Sequence, residues 1–132
     1  MKTFAQLYAI AAAVFVVMDM IWLTQVANGF YKAKLGKLLA DKASLIPAVA
    51  FYALFIVGLV VFVIKPGLEQ GMSTVMWRAA LFGLVTYATY DLTNQATLKD
   101  WPAIITVVDM IWGVVLATVV CTATVLIYNK IN

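Results

Sequence analysis

Histidine is absent from this 132-residue sequence, and its absence excludes several common kinds of site. Without histidine the chain lacks the usual general base, the usual zinc ligand and the usual haem ligand. Any bound metal would have to be a hard cation held by oxygen atoms of Asp, Asn, Thr or the backbone. We therefore predict no metal site, and the sequence identifies no cofactor.

Cysteine and charge are also scarce. The single cysteine, Cys121, excludes an internal disulfide and is interpreted as a small hydrophobic residue in a packed helix. Charged residues make up 11% of the chain and hydrophobic residues 65%, whereas about a quarter of a soluble chain is charged. A soluble protein of this size could not bury so much apolar surface. We expect one integral membrane domain over residues 1–132.

The remaining charges argue against nucleic acid as a partner. The formal net charge is only +3, and the lysines lie beside hydrophobic runs instead of forming a basic stripe. Positive charge at membrane edges explains this pattern better than nucleic-acid binding does. The sequence also has no hydrolase triad, phosphate-binding loop or dinucleotide fingerprint, so the chemistry of soluble enzymes has no support.

Four apolar runs predict an all-α fold, a four-helix transmembrane bundle. A run of about 20 residues crosses ~30 Å of hydrocarbon at about 1.5 Å per residue. An even number of multi-pass spans puts both termini on the same side. The first run is too long for a signal peptide and lacks a small-residue cleavage site, which favours an uncleaved helix. The predicted helices lie near residues 4–27, 45–64, 74–97 and 102–128.

The connections between these helices carry most of the polar residues. Residues 28–44 are rich in lysine and form either an amphipathic turn or two at the lipid headgroups or a solvated loop. The sequence Lys-Pro-Gly at 65–67 is expected to end the second helix. That helix contains no ionisable residue other than Tyr52 and is interpreted as scaffold. Pro102 is well placed to begin the fourth helix.

Three aspartates lie inside apolar segments and are predicted to reach one depth. The letters DMIW occur at 19–22 and again at 109–112, and Asp91 lies late in the third helix. Because alternate helices run in opposite directions, Asp19, Asp91 and Asp109 should all lie roughly 10 Å inside the same end of the bundle. Each acid near a helix centre costs about 2.5–3.5 kcal/mol on insertion, and this cost favours a functional explanation.

The neighbours of these acids extend the candidate site. Tyr87, Asp91 and Asn94 share one face of the third helix, and each DMIW places its tryptophan one turn from its aspartate. Two structural alternatives remain. The acids could fasten the bundle through hydrogen bonds, and the two tryptophans could be interfacial anchors. The candidate ligand or proton site comprises Asp19, Asp91, Asp109, Asn94, Tyr87, Trp22 and Trp112.

Several stretches resemble a small bacterial membrane-protein family known as domain of unknown function 2177. They are YATYDLTNQATLKDWP at 87–102, VVDMIWG at 107–113, DMIWL at 19–23 and FYKAKLG at 30–36. The resemblance covers nearly the whole chain and implies a four-helix integral membrane protein of the bacterial inner membrane. It implies no particular activity.

Three functions fit these features. The first is a module in the lipid bilayer, alone or as a homodimer, that binds or transports a proton, a cation or a small hydrophobic or cationic amphiphile. The second is an enzyme in which an aspartic acid protonates a lipid or isoprenoid. The third is an assembly partner whose acids pair with basic residues of another membrane protein.

Overall fold

The structure, a computed structural model, describes residues 2–132 and confirms the all-α fold. Four long helical segments form a bundle, and no strand occurs among these residues. In chain order the elements are α1 (Lys2–Trp22), a π-helical segment (Leu23–Ala27), α2 (Asn28–Leu35), a 3-10 turn (Gly36–Leu38), α3 (Leu45–Leu59), a second π-helical segment (Val60–Ile64), α4 (Lys65–Gln70), α5 (Met72–Thr97) and α6 (Ala103–Ile131).

Three stretches of the described chain are long and apolar enough to cross a membrane: Lys2–Leu38, Leu45–Gln70 and Ala103–Ile131. The fourth predicted span, α5, is not among them. Its 26 residues suffice in length, but Arg78, Asp91 and Asn94 together with several threonines lower its mean hydropathy. Length and composition therefore identify three of the four predicted spans.

The first helix does not end at residue 27, as the sequence suggested. It continues through the π-helical Leu23–Ala27 into α2, which carries the lysines of the predicted polar connection. A π-helical turn accommodates an extra residue without breaking the helix, so the backbone hydrogen bonds continue. The helix ends only at Gly36, where φ is +49°, a value that suits glycine. The first connection is thus largely helical.

The second helix likewise continues past the expected stop at residues 65–67. It runs through Val60–Ile64 and α4 to Gln70. Pro66 has no N–H for the carbonyl of Phe62, four residues earlier. Arg78 of α5 donates from Nη1 to this carbonyl at 3.1 Å. The predicted stop is wrong because a neighbouring helix supplies the missing donor; Gly71, with φ +103°, makes the turn instead.

The bundle is apolar inside and outside. Leu7, Phe15, Leu59, Val120 and the free Cys121 have no exposed surface and belong to one hydrophobic cluster. Large apolar side chains also cover the outer surface; the exposed fraction of Ile46, for example, is 84%. An apolar core under an apolar surface is the arrangement expected of helices in a lipid bilayer.

Helices α5 and α6 run antiparallel and approach each other closely at two glycines. A Cβ atom added to Gly83 would collide with the carbonyl oxygen of Gly113, and one added to Gly113 would collide with the ring of Tyr87. Near the other end of the pair, the hydroxyl of Thr106 donates to the carbonyl of Asp91 at 3.4 Å. Small residues permit this backbone contact, which membrane helices use in place of hydrophobic attraction.

Replacing Gly83 with alanine should therefore destabilise the protein. The methyl group would meet backbone, which cannot rotate away, and we expect a loss of about 1–3 kcal/mol. Reversible unfolding in detergent by dodecyl sulfate measures the change. The matched control is Gly29→Ala, where an added Cβ meets nothing within 4 Å. Equal stability of the two variants would contradict the close packing of α5 on α6.

Candidate functional site

A cavity of about 450 Å³ lies between the helices, close to the junction of α1 and α2. Its volume is within the roughly 300–1,000 Å³ of small-molecule sites. Every long helix contributes to its wall, as do α2 and the π-helical segment before it. The lining residues are Asp19, Trp22, Leu23, Tyr31, Phe51, Tyr52, Thr86, Tyr87, Tyr90, Asp109 and Trp112.

Asp19 is held in this wall by a tyrosine from α3. The hydroxyl of Tyr52 donates to Asp19 Oδ2 at 2.6 Å, and only 7% of Asp19 is exposed. The ring of Tyr52 packs at a steep angle against Phe15, with centroids 5.0 Å apart. Because the phenol can donate only one proton, the second carboxyl oxygen of Asp19 remains available to another group.

Asp109 has an equivalent partner from α2. The hydroxyl of Tyr31 donates to Asp109 Oδ1 at 2.8 Å. Tyr31 reaches the site because the helix continues past residue 27 into α2. Its ring lies edge-on to Trp22, with centroids 6.2 Å apart. The lysine-rich segment is thereby tied to a carboxyl group inside the bundle.

The two DMIW sequences meet in space. Trp22 and Trp112 stack with ring centroids 4.2 Å apart and planes 7° from parallel. Each tryptophan follows its aspartate by one helical turn, and each aspartate accepts a tyrosine hydroxyl. The two DMIW sequences thus form two similar halves of one aromatic and acidic cavity wall. The two tryptophans are half-buried and contact each other in the cavity wall.

Asp91 lies outside the cavity wall and is completely enclosed. Its exposed fraction is 0%, and neither carboxyl oxygen has a hydrogen-bond donor. The group it faces is the carboxyl of Asp109. The register of the helix pair explains this contact, since Tyr87 lies against Gly113. One turn further along α5 is Asp91, and one turn back along α6 is Asp109.

The seven predicted site residues therefore divide into three groups. Asp19, Asp109, Tyr87, Trp22 and Trp112 line the cavity; Asp91 lies immediately behind Asp109; the half-buried Asn94 does not line it.

Sequence reasoning missed several contributors to the wall. The scaffold interpretation of the second helix was incomplete, since Tyr52 binds Asp19. Its isolation as the one ionisable group in an apolar run was a signal that could have identified it. Tyr31 stands beside lysines, Phe51 and Thr86 stand among apolar residues, and Tyr90 directly precedes Asp91. Only the packing of the helices shows that these four side chains line the cavity.

The chemistry of the wall is acidic and aromatic. Two carboxyl groups and six aromatic rings besides Phe51 line it, and no lysine or arginine does. Within residues 2–132, no group of three His, Cys, Asp or Glu side chains is close enough to hold a metal ion. The arrangement can compensate a positive charge through carboxylates and aromatic faces, and its walls can bury apolar groups.

Comparison with known protein families identifies a match. The model of a family described as predicted membrane protein, domain of unknown function 2177, matches residues 4–126. This confirms the resemblance seen in the sequence. No curated protein and no solved structure matches the chain.

A double-mutant cycle on Tyr52 and Asp19 tests the hydrogen bond at the cavity wall. We expect Tyr52→Phe and Asp19→Asn to be coupled by about 1 kcal/mol in dodecyl sulfate unfolding, within the range of interhelical hydrogen bonds in membranes. Tyr8→Phe is the control, because the Tyr8 hydroxyl donates to the carbonyl of Ala53 instead. It should show no coupling to Asp19→Asn. Additive effects of Tyr52→Phe and Asp19→Asn would show that this contact contributes nothing.

Proposed function

The chain belongs to the family of predicted membrane proteins known as domain of unknown function 2177, and we propose that it binds a lipophilic cation in the cavity between its helices. The ligand class is an amphiphile with a cationic head and apolar substituents. In this proposal residues 1–132 form one domain in the bacterial inner membrane. Helix α5 crosses the bilayer beside α6, with Asp91 turned inward.

The composition of the cavity wall is the observation that supports this proposal most strongly. Asp19 and Asp109 supply negative charge, and no basic side chain lines the cavity to compensate it. The faces of Trp22, Trp112 and Tyr87 add the negative side of their ring quadrupoles. In a low-dielectric setting both effects favour a cation over a neutral or anionic ligand.

An amphiphile fits better than a bare metal ion. A hard cation needs about six or more oxygen ligands, and each wall carboxyl already accepts a tyrosine hydroxyl. Leu23 and Phe51 contribute apolar surface to the same cavity. A cation that carries apolar groups matches both parts of the wall. All the lining residues belong to one chain, so the proposal requires no second copy.

The two alternative functions are supported less well. A carboxyl group that protonates a lipid must point its proton into the cavity, whereas Asp91 does not line the cavity, and Asp19 and Asp109 each bind a tyrosine hydroxyl there. An assembly role requires acids that a second protein can reach. Asp91 is fully enclosed, and Asp19 is 7% exposed.

Binding of tetraphenylphosphonium, a lipophilic cation, tests the proposal. We expect saturable quenching of tryptophan fluorescence in lipid nanodiscs, since the Trp22 and Trp112 pair forms part of the wall. Tetraphenylborate, which has the same shape and the opposite charge, should not compete. Asp109→Asn should weaken binding at least tenfold, about 1.4 kcal/mol.

The matched control is Asp100→Asn, the same chemical change at an exposed turn. Asparagine tolerates the positive φ of 62° found there. This variant should bind the cation as the wild type does. Equal binding of tetraphenylphosphonium and tetraphenylborate, or equal binding by Asp109→Asn and the wild type, would contradict the proposal.

A further inference from the structure

We propose that Asp91 and Asp109 share one proton, and that a cation bound against Asp109 displaces this proton into water. The inference rests on the proposed function and adds to it a coupling between cation binding and proton release. Asp109 would contact the ligand, and Asp91 would be a positioning residue that acts through Asp109.

The enclosure of Asp91 is the first observation. Its side chain has no exposed surface, and both carboxyl oxygens lack a donor in the structure. An ionised carboxylate in such a place would be unsolvated and uncompensated, which is costly in a membrane interior. A carboxyl group that carries or shares a proton avoids that cost.

The position of Asp109 is the second observation. It stands one helical turn from Gly113 on the antiparallel helix and faces Asp91, as the contact of Tyr87 with Gly113 requires. Two adjacent carboxyl groups cannot both ionise at low cost, whereas a single proton between them forms a strong hydrogen bond. Asp109 also lines the cavity, so it is accessible from the ligand side.

The other groups around this pair include no cation. Tyr31 of α2 donates to Asp109, and Tyr87 and Tyr90 of α5 line the adjoining cavity. Asp19 of α1, which also lines the cavity, adds negative charge, although Tyr52 occupies one of its oxygens. The shared proton is therefore the positive charge that reduces the repulsion between the carboxyl groups of Asp91 and Asp109.

The exchange balances in charge and atoms. Before binding, one proton lies between two carboxyl groups that together carry one negative charge. A monovalent cation then approaches the cavity face of Asp109, the proton leaves through the cavity, and two carboxylates remain beside one cation. The bound cation takes over the role of the proton in reducing like-charge repulsion. Binding should consequently strengthen as pH rises, while the pair still holds its proton.

Calorimetric titration with tetraphenylphosphonium in two buffers of different ionisation enthalpy counts the protons released. We expect about one proton per bound cation, and an affinity that rises up to tenfold per pH unit. In Asp91→Asn, binding should persist with no proton release and no pH dependence. Asp100→Asn, a change at the exposed turn, should release the proton as the wild type does.

Infrared difference spectra provide a second readout on the wild type alone. Addition of tetraphenylphosphonium should remove the C=O stretch of a protonated carboxyl group and add a carboxylate band. Binding without proton release and without this spectral change would overturn the shared proton while the proposed function stands. Full proton release by Asp91→Asn would also overturn it. Failure of the wild type to bind would overturn the proposed function, and the coupling with it.

Discussion

The close approach of α5 and α6 at Gly83 and Gly113 determines the rest of the site. Because the two backbones touch there, the register of the antiparallel pair is fixed along its length. That register puts Tyr87 against Gly113 and consequently Asp91 opposite Asp109. It also brings Thr106 to the carbonyl of Asp91. A slightly wider or shifted helix pair would leave one buried carboxyl group in lipid without the other, at a cost of a few kcal/mol.

The two DMIW sequences, at 19–22 and 109–112, add further contacts to those that this helix register fixes. Antiparallel helices carry each aspartate and tryptophan to a common level, where the indoles stack at 4.2 Å. Each aspartate then receives a hydroxyl from a different element, Tyr52 from α3 and Tyr31 from α2. The acids are thus tied to four helices, while the cavity between them remains. A bundle fastened for stability alone would have little reason to enclose acidic groups around an open space, which favours a ligand site.

Hydropathy and periodicity predicted the all-α fold and the four helical segments, since both depend on local sequence. They wrongly predicted that the second helix ends at Lys65, Pro66 and Gly67. The helix continues there because Arg78 of another helix supplies the missing hydrogen-bond donor. They also did not predict that the first helix continues past residue 27, since a π-helical turn has no clear sequence signal. The prediction that the three aspartates share one depth rested on topology alone. Which of them would line a cavity depended on helix register and on Tyr31 and Tyr52, and that information is tertiary.

Locating a heavy cation would test cation binding between these helices most directly. Tetraphenylarsonium has the shape and charge of tetraphenylphosphonium, and its arsenic atom scatters X-rays anomalously. In crystals of the protein grown from lipid and soaked with this cation, we predict an arsenic peak in the cavity bounded by Asp19, Asp109 and the stacked Trp22 and Trp112. The peak should be lost in Asp109→Asn crystals. An arsenic peak only on the outer apolar surface, with the cavity empty, would contradict the proposed function.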